Sequence, residues 1–213
     1  MKLQDKDKRY VAALLAVLLL GGVFYFGGAM WGLPARLHPD EWSIVTPAIQ
    51  MIKDHTFEPS VFFRPDHLLI MINMLIYKAL TYVVGMSIEA IEAGHLHWLY
   101  FISRVITGCF GLGCAALSYL VCSRIHKAAG LTAAFLFACY PLMVLNGHYV
   151  TPDVPIVFFM LLFINGVAVV SIFVFFCLNQ SCFKFTTSPT RIIAGEVICF
   201  ANADKLFSVP VTH

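Results

Sequence analysis

Residues 11–33, VAALLAVLLLGGVFYFGGAMWGL, carry no charge. At ~1.5 Å per helical residue, such a run crosses the ~30 Å hydrocarbon core of a bilayer. Three more runs share this character: 98–121, interrupted by Arg104; 128–145, uncharged; and 154–178, which holds the amide Asn165. In lipid every backbone polar group needs an internal partner, so runs of this kind become helices. The chain as a whole is 60% hydrophobic and 12% charged, against ~25% charged residues in soluble domains. The expectation is an all-α, polytopic membrane helical bundle with about four transmembrane helices. A secretory signal peptide is the rival reading of 11–33. Its apolar core is shorter and ends in a small-residue cleavage site, which the following GLPARLHPDEW lacks.

A fifth run, 68–84 (LLIMINMLIYKALTYVV), is shorter and holds Asn73 and Lys78. A lysine at the bilayer centre costs ~2.5–3.5 kcal/mol on insertion scales. The basic residues decide whether this run crosses. The N-terminal tail has Lys2, Lys6, Lys8 and Arg9 against Asp5 and Asp7, and the loop CSRIHKA has Arg124, His126 and Lys127 with no acid. By the positive-inside rule both face the cytoplasm, which requires an even number of crossings between them. The runs 11–33 and 98–121 supply two, and 68–84 would add a third. Residues 68–84 are therefore expected to form an interfacial helix within one external loop, 34–97. That loop is rich in acid: Asp40, Glu41, Asp54, Glu58, Asp66, Glu89 and Glu92. The loop 146–155, NGHYVTPDVP, then lies on the same face. Residues 1–178 read as one transmembrane module and 179–213 as a cytoplasmic or poorly structured tail.

The seven cysteines sit singly, without CxxC or ligand-type spacing, and read as small lipid- or core-facing residues. Gly108, Gly111, Gly113, Ala115 and Ala116 give the second span a face for close helix contact.

The candidate chemistry lies in two loops. HPDEW, residues 38–42, places two adjacent carboxylates beside a histidine and a proline just past the first apolar run. As local structure, Asp40 and Glu41 suit the cap and first turn of a helix, where acid complements the helix dipole. Asp153, in TPDVP, equally suits a turn or a helix cap. Together, two acidic loops at one membrane face are able to hold a divalent cation or to deprotonate a hydroxyl. His38 and His148 are near enough in sequence to join Asp40 and Glu41 as metal ligands; the plain alternative is exposed loop residues. Arg64, in FFRPDH, precedes the proline at the entry to the interfacial helix. Arg104 lies about two turns inside its span, where a charge needs a partner. That partner is either a carboxylate of this chain or a lipid phosphate, which a guanidinium matches with paired donors.

Taken in order, the motifs resemble those of the GT-C membrane glycosyltransferases. They are a span, HPDE, a basic residue before proline at the entry to an apolar surface helix, Ser103 with Arg104 near the start of the next span, and Thr151-Pro152-Asp153 after the third. The nearest branch is that of the protein O-mannosyltransferases and lipid A aminoarabinose transferases, glycosyltransferase family 39 and its relatives. The likeness covers about residues 5–165. It implies transfer of a sugar from a polyprenyl-phosphate donor to a lipid, glycan or protein acceptor on the external face of an inner or plasma membrane, with the N-terminus cytoplasmic. It places the family's acidic positions on Asp40, Glu41 and Asp153 and a donor-phosphate-binding base on Arg64, and it supports a surface helix in the first loop. On this reading Asp40 is the base for the acceptor, while Glu41 and Asp153 orient it or hold a divalent metal ion. Arg64, with Arg104 or the metal, stabilises the leaving phosphate.

Family members are longer, with more spans and often a soluble C-terminal domain. The chain is accordingly expected to carry only the N-terminal catalytic module, as a truncated or frameshifted product. The alternative from another class is a non-catalytic membrane protein or subunit that binds the lipid carrier. A transporter is the weaker third reading, because no paired broken helices are evident. Nothing in the sequence points to nucleic acid.

Overall fold

The computed structural model describes residues 5–33, 38–59 and 66–186, with backbone alone for 5–6 and 172–186. The described residues form seven helices and no strand: α1 (Asp5–Phe26), α2 (Pro39–Lys53), α3 (His67–Val84), α4 (Ile88–Cys122), α5 (Lys127–Cys139), α6 (Pro141–Gly147) and α7 (Asp153–Thr186). Four are long and apolar enough to cross a membrane, namely α1, α3, α4 and α7, and the bent pair α5–α6 would make five. The chain is a multi-pass helical membrane bundle. Met1–Val169 forms one compact unit, within which all the candidate residues fall. Val170–His213 forms a second, whose described part is helical to Thr186.

The helices depart from the apolar runs in three places. The uncharged run continues to residue 33, but α1 stops at Phe26. Gly27 and Gly28 follow, and the chain winds to Leu33 through turns closed by Ala29 N–H to the Phe26 carbonyl (3.1 Å) and Trp31 N–H to the Gly28 carbonyl (2.9 Å). Gly32 takes φ 73° there, a conformation open to glycine at little steric cost. The run 128–145 is not one straight span, because α5 and α6 meet at 53°. Pro141 lacks an N–H and forces Tyr140 into an extended conformation (φ −65°, ψ 117°). Finally, α7 continues past 178 to Thr186, into the segment expected to be a tail; the rest of that segment, 187–213, lies outside the described residues.

Contacts at the two ends orient the helices. Lys127, at the start of α5, pairs with Asp7 and lies over the Tyr10 ring at 5.9 Å. The N-terminus and the α4–α5 turn therefore share one end, as the distribution of basic residues requires. At the far end, Arg104 of α4 donates to the carbonyls of Ala29 (3.0 Å) and Trp31 (2.8 Å), just past α1. So α1 and α4 run antiparallel between the ends. Small residues let them close up as expected. Tyr25 of α1 is fully buried, and a methyl group at Gly111 or Gly147 would sit 2.4 Å from its ring. Phe26 fills the space beside Gly108, and Phe158 of α7 that beside Gly113.

α3 meets the length requirement for a span, and its start lies at the far end of the bundle. It starts beside α7, where Asp66, Leu69 and Ile72 face Pro152, Ile156 and Phe159 across a cleft. It stops at Gly85, whose φ of 70° caps the helix. A short turn then leads to Ser87, whose hydroxyl caps α4 well before Arg104 is reached. Buried hydrogen bonds dock α3 on α4 just beyond its kink. The Tyr77 hydroxyl donates to the Leu99 carbonyl (3.1 Å) and touches Ser103 Oγ, which donates to Asn73 Oδ1 (2.6 Å). Asn73 Nδ2 in turn donates to the Leu69 carbonyl (2.8 Å). The kink itself is at His95, with φ −135° and ψ 28°.

α2 completes this far-end layer. Pro39 occupies its first position, Asp40 and Glu41 its first turn and Lys53 its last, an order that suits both the fixed φ of proline and the helix dipole. Its inner face, Ile44, Val45, Ala48, Ile49 and Met51, packs on Leu69, Ile70 and Met74 of α3 and on Leu99 and Tyr100 of α4. Burying each large aliphatic side chain contributes ~1.5–3 kcal/mol relative to exposure to water.

Candidate functional site

The far end gathers the HPDE loop, the stretch after α1, the outer part of α4 and the 148–153 loop around one ion pair. Adjacent residues on a helix point ~100° apart, so Asp40 and Glu41 cannot both face inward. Glu41 does, with no solvent exposure, and Asp40 is turned out, with its side chain 39% exposed. Glu41 meets Arg104, itself 1% exposed. The pair is bidentate: Nε donates to Oε1 at 2.7 Å and Nη2 to Oε2 at 3.0 Å. With the Ala29 and Trp31 carbonyls taking Nη1, four of the five guanidinium N–H groups are engaged. The Tyr149 ring lies 5.5 Å from the guanidinium carbon, within cation–π range.

This arrangement revises the roles expected for Glu41 and Arg104. Of the two partners the sequence allowed for Arg104, the structure supplies the carboxylate. Its donors are committed within the chain, and both Glu41 oxygens are taken. A buried pair so saturated is a structural clasp: it fixes α2 to α4 and turns the 27–33 segment onto the same cation. Desolvation offsets much of its Coulombic gain, but removing one partner strands the other.

The second loop is tied to the same carboxylate. The Val150 N–H donates to Glu41 Oε1 at 3.4 Å, and Tyr149 stacks on His38, ring centroids 5.2 Å apart and 25° between planes. Thr151 and Val150 are buried, and Thr151 Oγ1 donates to the Asn146 carbonyl (3.2 Å). Asp153 opens α7, exposed, with Asn146 Nδ2 at 3.5 Å from its Oδ2.

The histidines have local duties. His38 caps α2, its Nδ1 accepting the Asp40 N–H at 3.3 Å, with the Asp40 carboxylate 3.8 Å from the same nitrogen. His148 follows α6, and its Nε2 pairs with the Phe24 carbonyl, near the end of α1 where helix carbonyls lack partners. Asp40, Glu41, His38 and His148, the expected metal ligands, thus do not fit a shared cation. Glu41 is occupied by Arg104, His148 is turned to α1, and no group of three His, Cys, Asp or Glu with metal-site geometry occurs among the described residues. Arg64, the expected donor-phosphate residue, lies outside the described residues.

Three groups around Arg104 carry little signal in the sequence: the carbonyls of Ala29 and Trp31, and the Tyr149 ring. The glycines at 27, 28 and 32 were the available signal for the first two, since they break the helix and free its carbonyls. No local pattern marks Tyr149. No family model, curated protein or solved structure matches the chain.

Proposed function

We propose that the chain is the catalytic module of a GT-C-like membrane glycosyltransferase. It moves a sugar from a polyprenyl-phosphate donor to an acceptor hydroxyl or phosphate at the far end of the bundle, taken as the external face of an inner or plasma membrane. The observation that supports this reading is the meeting of the two acidic loops. His38 stacks on Tyr149 and Val150 binds Glu41, which brings the segments carrying Asp40 and Asp153 to one end of one compact unit. Asp40, turned toward solvent beside His38, is the base for the acceptor. Asp153 orients that acceptor, and Arg64 meets the leaving phosphate. Glu41 and Arg104 act as positioning residues that hold the two loops together.

The test is transfer of radiolabelled hexose from a polyprenyl-phosphate hexose in vesicles containing the protein. A positioned base is worth ~10²–10⁴-fold, so Asp40→Asn should lose at least about 100-fold while inserting normally. Undiminished turnover by Asp40→Asn removes that residue from the mechanism. The engagement of Arg104 favours a second reading, a non-catalytic protein that binds the lipid carrier. Carrier binding by the unaltered chain without transfer would select it.

A further inference from the structure

Lys78 is the one charged residue within 68–84, and its position has no role in the far-end site. It is exposed on α3, and among the described residues no carboxylate or hydrogen-bonding group pairs with its ammonium. With His55, Thr56 and Phe57 it lines a cavity of about 60 Å³ whose floor is Met51, Ile52 and Met74. No carboxylate lines that cavity. Of the acids on neighbouring segments, Glu92 pairs with Lys53, and Asp54 accepts both amide N–H groups of Gln50. Glu89 is held by Ser87 and its own N–H while its charge also acts on His55, and Glu58 is exposed just past Phe57.

His55 adds a second observation. It follows the cap of α2 with φ 51°, the one non-glycine residue with positive φ among those described. Thr56 N–H bonds back to the Met51 carbonyl (3.1 Å), the closing bond of a helix end that ordinarily uses glycine at this position. A histidine here costs conformational free energy that glycine would not, and backbone outliers of this kind concentrate at functional sites. The surroundings are apolar. Phe57 is 62% exposed, and Leu75, Ile76 and Tyr82 of α3 are exposed as well.

We propose that this cavity binds a phosphate group carried on an apolar chain, with Lys78 and His55 meeting the oxyanion. Met51, Met74 and Phe57 would meet the first part of the chain, and methionine suits such a surface because it adapts to irregular apolar shapes. The site is independent of the transfer reaction proposed above and does not require it.

Binding is measured on the purified chain in detergent with three probes: dioctanoyl phosphatidic acid, dioctanoylglycerol and inorganic phosphate. Phosphatidic acid should bind at least about tenfold more tightly than either of the others, as expected for charge-assisted hydrogen bonds added to apolar contact. Lys78→Gln and His55→Gly should each weaken it about tenfold. His55→Gly relieves the left-handed backbone, so it keeps the fold and isolates the imidazole. Equal affinity for dioctanoylglycerol overturns the phosphate assignment. Equal affinity for inorganic phosphate overturns the lipid assignment, and unchanged binding by both variants overturns the site.

Discussion

The Val150 N–H and Glu41 Oε1 lie 3.4 Å apart, so the carboxylate that neutralises Arg104 also tethers the loop leading into α7. One buried oxygen thereby couples two segments 109 residues apart in sequence, and the register of both loops depends on it.

Glu41→Gln should therefore destabilise strongly. It leaves the Arg104 guanidinium buried without a counter-charge, for which ~3–5 kcal/mol is expected. Unfolding in a denaturing-detergent titration checks the value. The paired change Glu41→Leu with Arg104→Met should recover part of the loss. Recovery is incomplete because the Ala29 and Trp31 carbonyls lose their donor, at ~1–3 kcal/mol for each buried group left unmet. A double variant no more stable than Glu41→Gln would mean that the clasp does not govern stability.

Arg104→Lys tests the fork geometry separately. An ammonium cannot span both Glu41 oxygens and both carbonyls in the same plane. Loss of about 2 kcal/mol or more is expected, and wild-type stability would show that charge alone suffices there.

Close contact at Tyr25 gives a contrast between glycines. Gly111→Ala places a methyl group 2.4 Å from the Tyr25 ring, and overpacking of this kind costs ~1–3 kcal/mol. Gly166→Ala meets nothing within 4 Å and should be neutral or slightly stabilising, since alanine is the better helix former. Equal effects at the two positions would argue against the α1–α4 packing.

Sidedness is open to cysteine labelling in an otherwise cysteine-free chain. Glu58→Cys and Asp153→Cys should label from one side of sealed vesicles. Ile125→Cys, at a position 87% exposed in the α4–α5 turn, should label from the other. Labelling of positions 58 and 153 from opposite sides would mean that α3 crosses the membrane and would dissolve the shared acidic site.

The docking of α3 should be sensitive to Tyr77→Phe, which removes the hydroxyl bridging the Leu99 carbonyl and Ser103. A loss of ~1–3 kcal/mol is expected for the buried groups left behind. The readout is faster proteolysis within the 85–87 turn, and an unchanged cleavage rate would contradict the docking of α3 through Tyr77.

Much of this architecture is legible in the sequence. Hydropathy and charge are one-dimensional quantities, and lipid leaves a long uncharged run few choices besides helix. They marked the apolar helices and paired the N-terminus with the α4–α5 turn. Helix ends were less legible. The stop at Phe26 depended on the glycines and on the Arg104 donors waiting beyond them, and the α5–α6 bend needed Pro141 weighed above the hydropathy of its run. What tertiary structure alone decided was the division of labour between Asp40 and Glu41. Their identities make them equivalent in sequence. The ~100° between successive helical side chains turns one inward, and the position of Arg104, 63 residues on, determines which carboxylate becomes a clasp and which lies partly exposed beside His38.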